Sequence, residues 1–95
     1  MTSKQRAYLR KLANPLDAII QIGKGGTSPE AISAIDEAIE ARELVKISVL
    51  DNCPLSPREV ADTLVVRARA ECVQQIGKKI VLYRRSINNP VIQLP

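Results

Sequence analysis

Three of the four glycines in this chain fall within Ile22-Gly23-Lys24-Gly25-Gly26, where an apolar run stops and the helix-start signature Thr27-Ser28-Pro29-Glu30 begins. Glycine permits positive φ and, having no Cβ, lets a ligand's backbone come close. A helix N-terminus adds unpaired amides and partial positive charge, so this corner suits an anion, with phosphate the natural guest. The same residues also suit a plain strand-to-helix turn with one lysine in water, because short motifs recur by chance. The rest of the chain has to decide between them.

Ninety-five residues form one small domain that buries ~60–65% of its unfolded surface, with one modest core and no second lobe to shape a deep cleft. The content of 45% hydrophobic and 25% charged residues is that of a folding chain. With no histidine, Ser-His-Asp and Cys-His catalytic pairs and His-containing zinc sites are excluded. Tyr8 and Tyr83 are the only aromatics, too few for the base-stacking sheet of an RNA-recognition motif or an oligonucleotide-binding barrel. Cys53 and Cys72 form no C-x-x-C pair; Cys72 reads as a thiol buried in a strand and Cys53 as a loop thiol. No catalytic residue, metal site, cofactor or small-molecule substrate is expected. The start Met1-Thr2-Ser3-Lys4 has no apolar signal core and no run reaches membrane-spanning length, so the expected setting is cytoplasmic, away from membranes.

Taken in order, Thr2 and Gln5 spell a capping box for a first helix whose apolar stripe is Leu9, Leu12 and Ala13 and which ends near Asn14-Pro15. Ala18 to Ile22 is a nearly continuous apolar run and reads as a buried strand ending at the glycines. The second helix starts near Ser28, with Thr27 to Glu30 an alternative box, and spaces Ile32, Ile35 and Ile39 on one face. Its carboxylates Asp36, Glu37 and Glu40 read as a solvated acidic face. Leu44 to Leu50 alternates as a second strand, with Lys46 and Ser48 on one face. Ser56-Pro57-Arg58-Glu59 caps a third helix running to about Ala70. Cys72 to Ile76 and Lys79 to Arg84 make two further strands joined at Gly77-Lys78. Residues 1–85 therefore form the domain, and 86–95, uncharged and containing Asn88-Asn89-Pro90, an extended C-terminal tail. The order α-β-α-β-α-β-β implies an α/β fold, a four-stranded mixed sheet packed by three helices.

The net charge of +4 conceals segregation. Residues 1–26 set Lys4, Arg6, Arg10, Lys11 and Lys24 against Asp17 alone, and residues 67–85 set Arg67, Arg69, Lys78, Lys79, Arg84 and Arg85 against Glu71 alone. Residues 30–43 reverse the sign, with Arg42 the one cation among Glu30, Asp36, Glu37, Glu40 and Glu43. Basic first and last thirds fit a shared face for a polyanion, with the acidic helix turned away.

A nucleotide-binding Walker loop needs G-x-x-x-x-G-K-[ST], and this chain has neither the spacing nor the Lys-Ser/Thr pair. It does have G-x-x-G at Gly23 to Gly26, the pattern with which KH modules clamp a nucleic-acid backbone. Together with Lys4-Gln5-Arg6, Leu9 and Leu12, with Gln21 to Gly26, with Glu43-Leu44-Val45-Lys46-Ile47 and with Ile76 to Arg84, the chain resembles the CRM (chloroplast RNA splicing and ribosome maturation) domain over about residues 4 to 85. It is similar to the free-standing bacterial members rather than the multi-domain plant proteins. The chain departs from the family at Asn14-Pro15-Leu16-Asp17-Ala18, where a Lys-Pro pair and a histidine are common. The resemblance implies an RNA-binding domain whose KH-like GxxG loop and neighbouring basic residues contact structured RNA, associated with precursors of the large ribosomal subunit; binding without catalysis, by a monomer, is the expectation. It places the loop at Gly23, Lys24, Gly25 and Gly26 and the basic surface at Lys4, Arg6, Arg10, Lys11, Lys46, Lys78, Lys79 and Arg84. The competing class is a protein-interaction adaptor that uses the acidic second helix and binds RNA only incidentally.

Overall fold

Each helix begins where a short side chain takes over an orphan amide. In the computed structural model, which describes all of Met1 to Pro95, Thr2 Oγ1 accepts from the Gln5 amide at 3.1 Å. The Gln5 side chain accepts in return from the Thr2 amide at 3.0 Å, so the box closes at the start of α1 (Ser3–Ala13). Ser28, not Thr27, caps α2 (Pro29–Arg42), accepting from the Ala31 amide. Ser56 and Glu59 close a second box on α3 (Pro57–Arg67), and hydrogen bonds from the Ser56 amide and hydroxyl hold the Glu59 carboxyl below its usual range. That helix ends at Arg67 rather than near Ala70. The Ala70 amide reaches back to the Val65 carbonyl across Arg69, which has φ of 54°, the pattern of a Schellman C-cap.

The strands are β1 (Ala18–Ile22), β2 (Leu44–Val49), β3 (Glu71–Ile76) and β4 (Lys79–Tyr83), arranged β1-β2-β4-β3. β1 lies parallel to β2, and the other two pairings are antiparallel, which makes the expected four-stranded mixed sheet. Its two faces carry separate apolar clusters because β2 alternates. Val45, Ile47 and Val49 join Ile35 and Ile39 of α2 and Val60 and Leu64 of α3, whereas Leu44 joins Leu9 and Ala13 of α1 with Val73, Val81 and Tyr83. Each fully buried Leu, Ile or Val contributes about 1.5–3 kcal/mol.

β1 departs from the sequence reading. It is an edge strand, paired only with β2, and along it exposure alternates: Ile22 is buried while Ile19 and Gln21 are exposed. The cause is asymmetric coverage. α1 packs against β2, β3 and β4, so the face of β1 on that side lacks a lid.

The acidic face of α2 departs as well. Residues after Tyr83 form no helix or strand, yet carboxylates hold them. Glu43, 1% exposed, accepts from the amides of Ser86, Val91 and Ile92 at 2.7–2.8 Å. Glu40 accepts from the Ser86 hydroxyl at 2.6 Å and from the Ile87 and Asn88 amides. Beyond Glu43 the tail turns onto the opposite face, where Ile92 and Leu94 pack against the α1 cluster and the Pro95 carbonyl accepts from the Gln5 side chain at 3.2 Å. Far from being merely solvated, these carboxylates are the tail's anchor.

Candidate nucleic-acid interface

Parallel pairing of β1 with β2 and antiparallel pairing of β4 with both its neighbours bring four chain segments to one end of the sheet: the exits of β1 and β2, and the β3–β4 hairpin with the start of β4. Backbone bonds tie these segments together. The Leu50 amide donates to the Ile22 carbonyl and the Val49 amide to the Lys78 carbonyl, both at 2.8 Å. Ion pairing between Lys78 and Asp51 adds a side-chain tie. Gly77, at φ 55°, occupies the first position of the two-residue hairpin loop, where only a residue without Cβ is unstrained.

The glycine loop leans on this base. A Cβ on Gly23 would lie 3.2 Å from Asn52 Oδ1 and 3.3 Å from Leu50 Cδ1, so glycine there allows close approach to the β2–α3 connection. Gly26 is buried with φ 59° and faces Pro54. Its amide donates to the Gly23 carbonyl at 2.9 Å, which closes the loop as a turn and takes that N–H out of anion binding. Gly25 has nothing within 4 Å of a Cβ position, and both it and Lys24 are exposed. The outward tip is therefore Lys24-Gly25, and the inward glycines set its base.

Beside the tip, pairing aligns Gln21, Ser48 and Lys79 in a row across β1, β2 and β4, on the face that carries α1. Lys79 Nζ donates to Ser48 Oγ at 3.3 Å. Lys46, half-buried, lies on the same face of β2, and the exposed Lys4, Arg10 and Lys11 project from α1 on that side. Seven of the cations expected from sequence, Lys4, Arg10, Lys11, Lys24, Lys46, Lys78 and Lys79, thus lie on the loop end or the α1 side of the sheet.

Arg6 and Arg84 are engaged elsewhere. Arg6 donates to the carbonyls of Cys72, at 2.5 Å, and Val73, at 3.2 Å, where the register of β3 shifts against β4. Arg84 lies on the other side of the sheet, only 20% exposed, bonded to Asp36 Oδ1 at 2.6 Å and to the Ala68 carbonyl at 2.7 Å, with Glu40 at 3.8 Å. Both guanidiniums tie elements together. Sequence reading gave Gln21, Ser48 and Asn52 no role at the site, and the signal available for Gln21 was its place as the one polar residue in an apolar run.

Cys72 is half-buried rather than buried, and burial pushes its thiol up, away from the reactive thiolate. Cys53 is partly covered by the larger apolar cluster. The residues include no group of three or more His, Cys, Asp or Glu that could hold a metal ion. No helix is long and apolar enough to cross a membrane.

Comparison with known proteins agrees with this architecture. The CRS1/YhbY (CRM) domain matches residues 1–84. The chain is 48% identical over 95 residues to a Bacillus subtilis protein named "Probable RNA-binding protein YqeI", covering 100% of this chain and 99% of the relative. It is 30% identical to a Haemophilus influenzae protein named "RNA-binding protein", covering 100% of this chain and 95% of the relative. The solution structure of the Staphylococcus aureus hypothetical protein SAV1595 superposes with a TM-score of 0.79 at 45% identity, covering 100% of this chain and 99% of that one.

Proposed function

As the chain belongs to the CRS1/YhbY (CRM) domain family, we propose that it is an RNA-binding protein that grips structured ribosomal RNA by its backbone and accompanies precursors of the large ribosomal subunit. The observation that carries this reading is the outward tip Lys24-Gly25, sterically open and flanked by Lys78 and Lys79. A phosphate seated there meets the Lys24 ammonium and the start of α2, whose dipole favours negative charge. Lys46, Lys4, Arg10 and Lys11 extend the positive field over the α1 side, steering a polyanion and neutralising further phosphates. Such contacts fix position and orientation, and they read duplex shape rather than base sequence. The process is binding alone, in the cytoplasm, by a single copy of the chain.

The adaptor reading has less to work with, because Asp36 and Glu40 of α2 and Glu43 at its C-cap are engaged by Arg84 and the tail, leaving Glu30 and Glu37 as the free carboxylates of that helix. The test is a filter-binding titration against a transcript of the large-subunit ribosomal RNA precursor at several salt concentrations. Affinity is expected to fall log-linearly with salt, by ~0.7–0.9 in slope for each phosphate contacted. A salt-insensitive isotherm, or failure to co-sediment with large-subunit precursors, would defeat the proposal.

A further inference from the structure

On the face opposite α1, α2 and α3 border an open groove of about 720 Å³ that the loop surface does not include. It runs from Pro29, in the first turn after the glycine loop, down to Glu40 and Asn88. At 1.5 Å per residue along α2 that is about 16 Å, room for a short stretch of nucleic-acid backbone.

Its lining mixes both signs of charge. Asp36 and Glu40 line it, but Arg84 bonds Asp36 at 2.6 Å and lies 3.8 Å from Glu40, while Glu40 also receives the Ser86 hydroxyl and the Ile87 and Asn88 amides. Both carboxylates have their hydrogen-bonding capacity taken up within the fold, and three arginines against two carboxylates leave the lining a net charge of +1. Arg67 and Arg69, also in the lining, are exposed and take part in no ion pair or side-chain hydrogen bond. The groove therefore presents two free guanidiniums.

Arg69 adds an independent observation. It holds the C′ position of the α3 cap at φ 54°, the left-handed conformation for which glycine is the usual choice. An arginine there strains the backbone, and its side chain makes no compensating hydrogen bond or ion pair within the molecule. Strain retained at an exposed cation points to a task outside the fold.

We infer that Arg67 and Arg69 form a second phosphate-contact position, so that RNA held at the Lys24-Gly25 tip continues along the α2–α3 groove with its backbone against these two guanidiniums. The inference rests on the RNA-binding reading and extends it to the face away from α1. Guanidinium suits the purpose, since its planar fork donates two parallel hydrogen bonds to a phosphate.

The test measures salt-dependent binding to the large-subunit precursor transcript for the unaltered chain, for Arg67→Gln, for Arg67→Gln with Arg69→Gly, and for Lys24→Glu with Gly25→Asp. The double arginine variant is expected to lower the salt slope by ~1.4–1.8 and the single one by about half as much, with several-fold weaker binding. Its Tm should hold or rise by a few degrees, because glycine relieves the strain at position 69. Arginine variants that bind with the slope of the unaltered chain, while the loop variant still loses affinity, overturn this inference and leave the RNA-binding reading standing. No salt-dependent binding by the unaltered chain overturns both.

Discussion

The two ends of the sheet spend charge in opposite ways. At the glycine-loop end, Lys24 is exposed without a partner, and Lys78 and Lys79 make only exposed contacts with Asp51 and Ser48. Toward the other end, Glu40, Glu43 and Arg84 are bonded to backbone and to one another, and much of that network is buried. Exposed pairs contribute about 0–1 kcal/mol, whereas a buried carboxylate that satisfies several amides holds much more, because those amides would otherwise lose water and gain nothing. One end uses charge to stay folded, and the other leaves it available.

Removing Glu43 should strike hardest. Glu43→Ala leaves three tail amides without their acceptor and is expected to cost about 3 kcal/mol, a fall of more than about 10 °C in Tm. Glu43→Gly should lose stability as well, although Glu43 has a strained φ of 67° that glycine would relieve. A thermal melt in which Glu43→Gly is as stable as the unaltered chain would erase the contrast between the ends.

The same network gives a pH signature. Burial pushes the Glu43 carboxyl up, but the amides of Ile92, Ser86 and Val91, with the charge of Arg85, outweigh it and hold the group below its ordinary 4.5. A carboxyl lowered by folding stabilises fully above about pH 4.5 and loses that contribution as pH falls through its folded value. The stability gap between the unaltered chain and Glu43→Gln should therefore be wide at neutral pH and narrow in acid. Urea titrations showing a constant gap would mean that the carboxylate charge is irrelevant to holding the tail.

At the loop end the expected effects fall on binding. Lys24→Glu with Gly25→Asp should weaken RNA binding roughly tenfold with an unchanged melt, since a side chain at position 25 meets open space. A large drop in Tm would show that the tip serves the fold. The smallest effect is expected for Lys78→Gln with Lys79→Gln, a few-fold loss spread evenly over RNA sequences with stability within about 0.5 kcal/mol. A loss confined to particular sequences would indicate base contacts there.

What the sequence revealed follows the range of each interaction. Thr2 with Gln5 and Ser56 with Glu59 were legible because a cap is written within four residues, and β2 because alternation is local. Caps, periodicity and turn residues set out the order of elements and placed the glycine loop between a strand and a helix, and the family resemblance added the expectation of RNA. β1 was misjudged because a continuous apolar run has no periodicity from which an uncovered edge could be read. Arg6 reaching the β3 carbonyls, Arg84 reaching Asp36, and Glu43 reaching the tail join polar residues 66, 48 and 43 positions apart. Polar pairs of this kind leave no pattern, so the sequence shows which residues are cationic but not which remain free.

The bond from the Gln5 side chain to the Pro95 carbonyl, at 3.2 Å, fastens residue 95 to the first turn of α1. The path from α1 to residue 95 thus comes almost full circle. A short linker could close it, and new termini could then be opened in the connection after α1, where Asn14 to Asp17 are all exposed. Such a permuted chain would keep both the glycine tip and the tail anchor, with its ends moved away from the seam that now joins them.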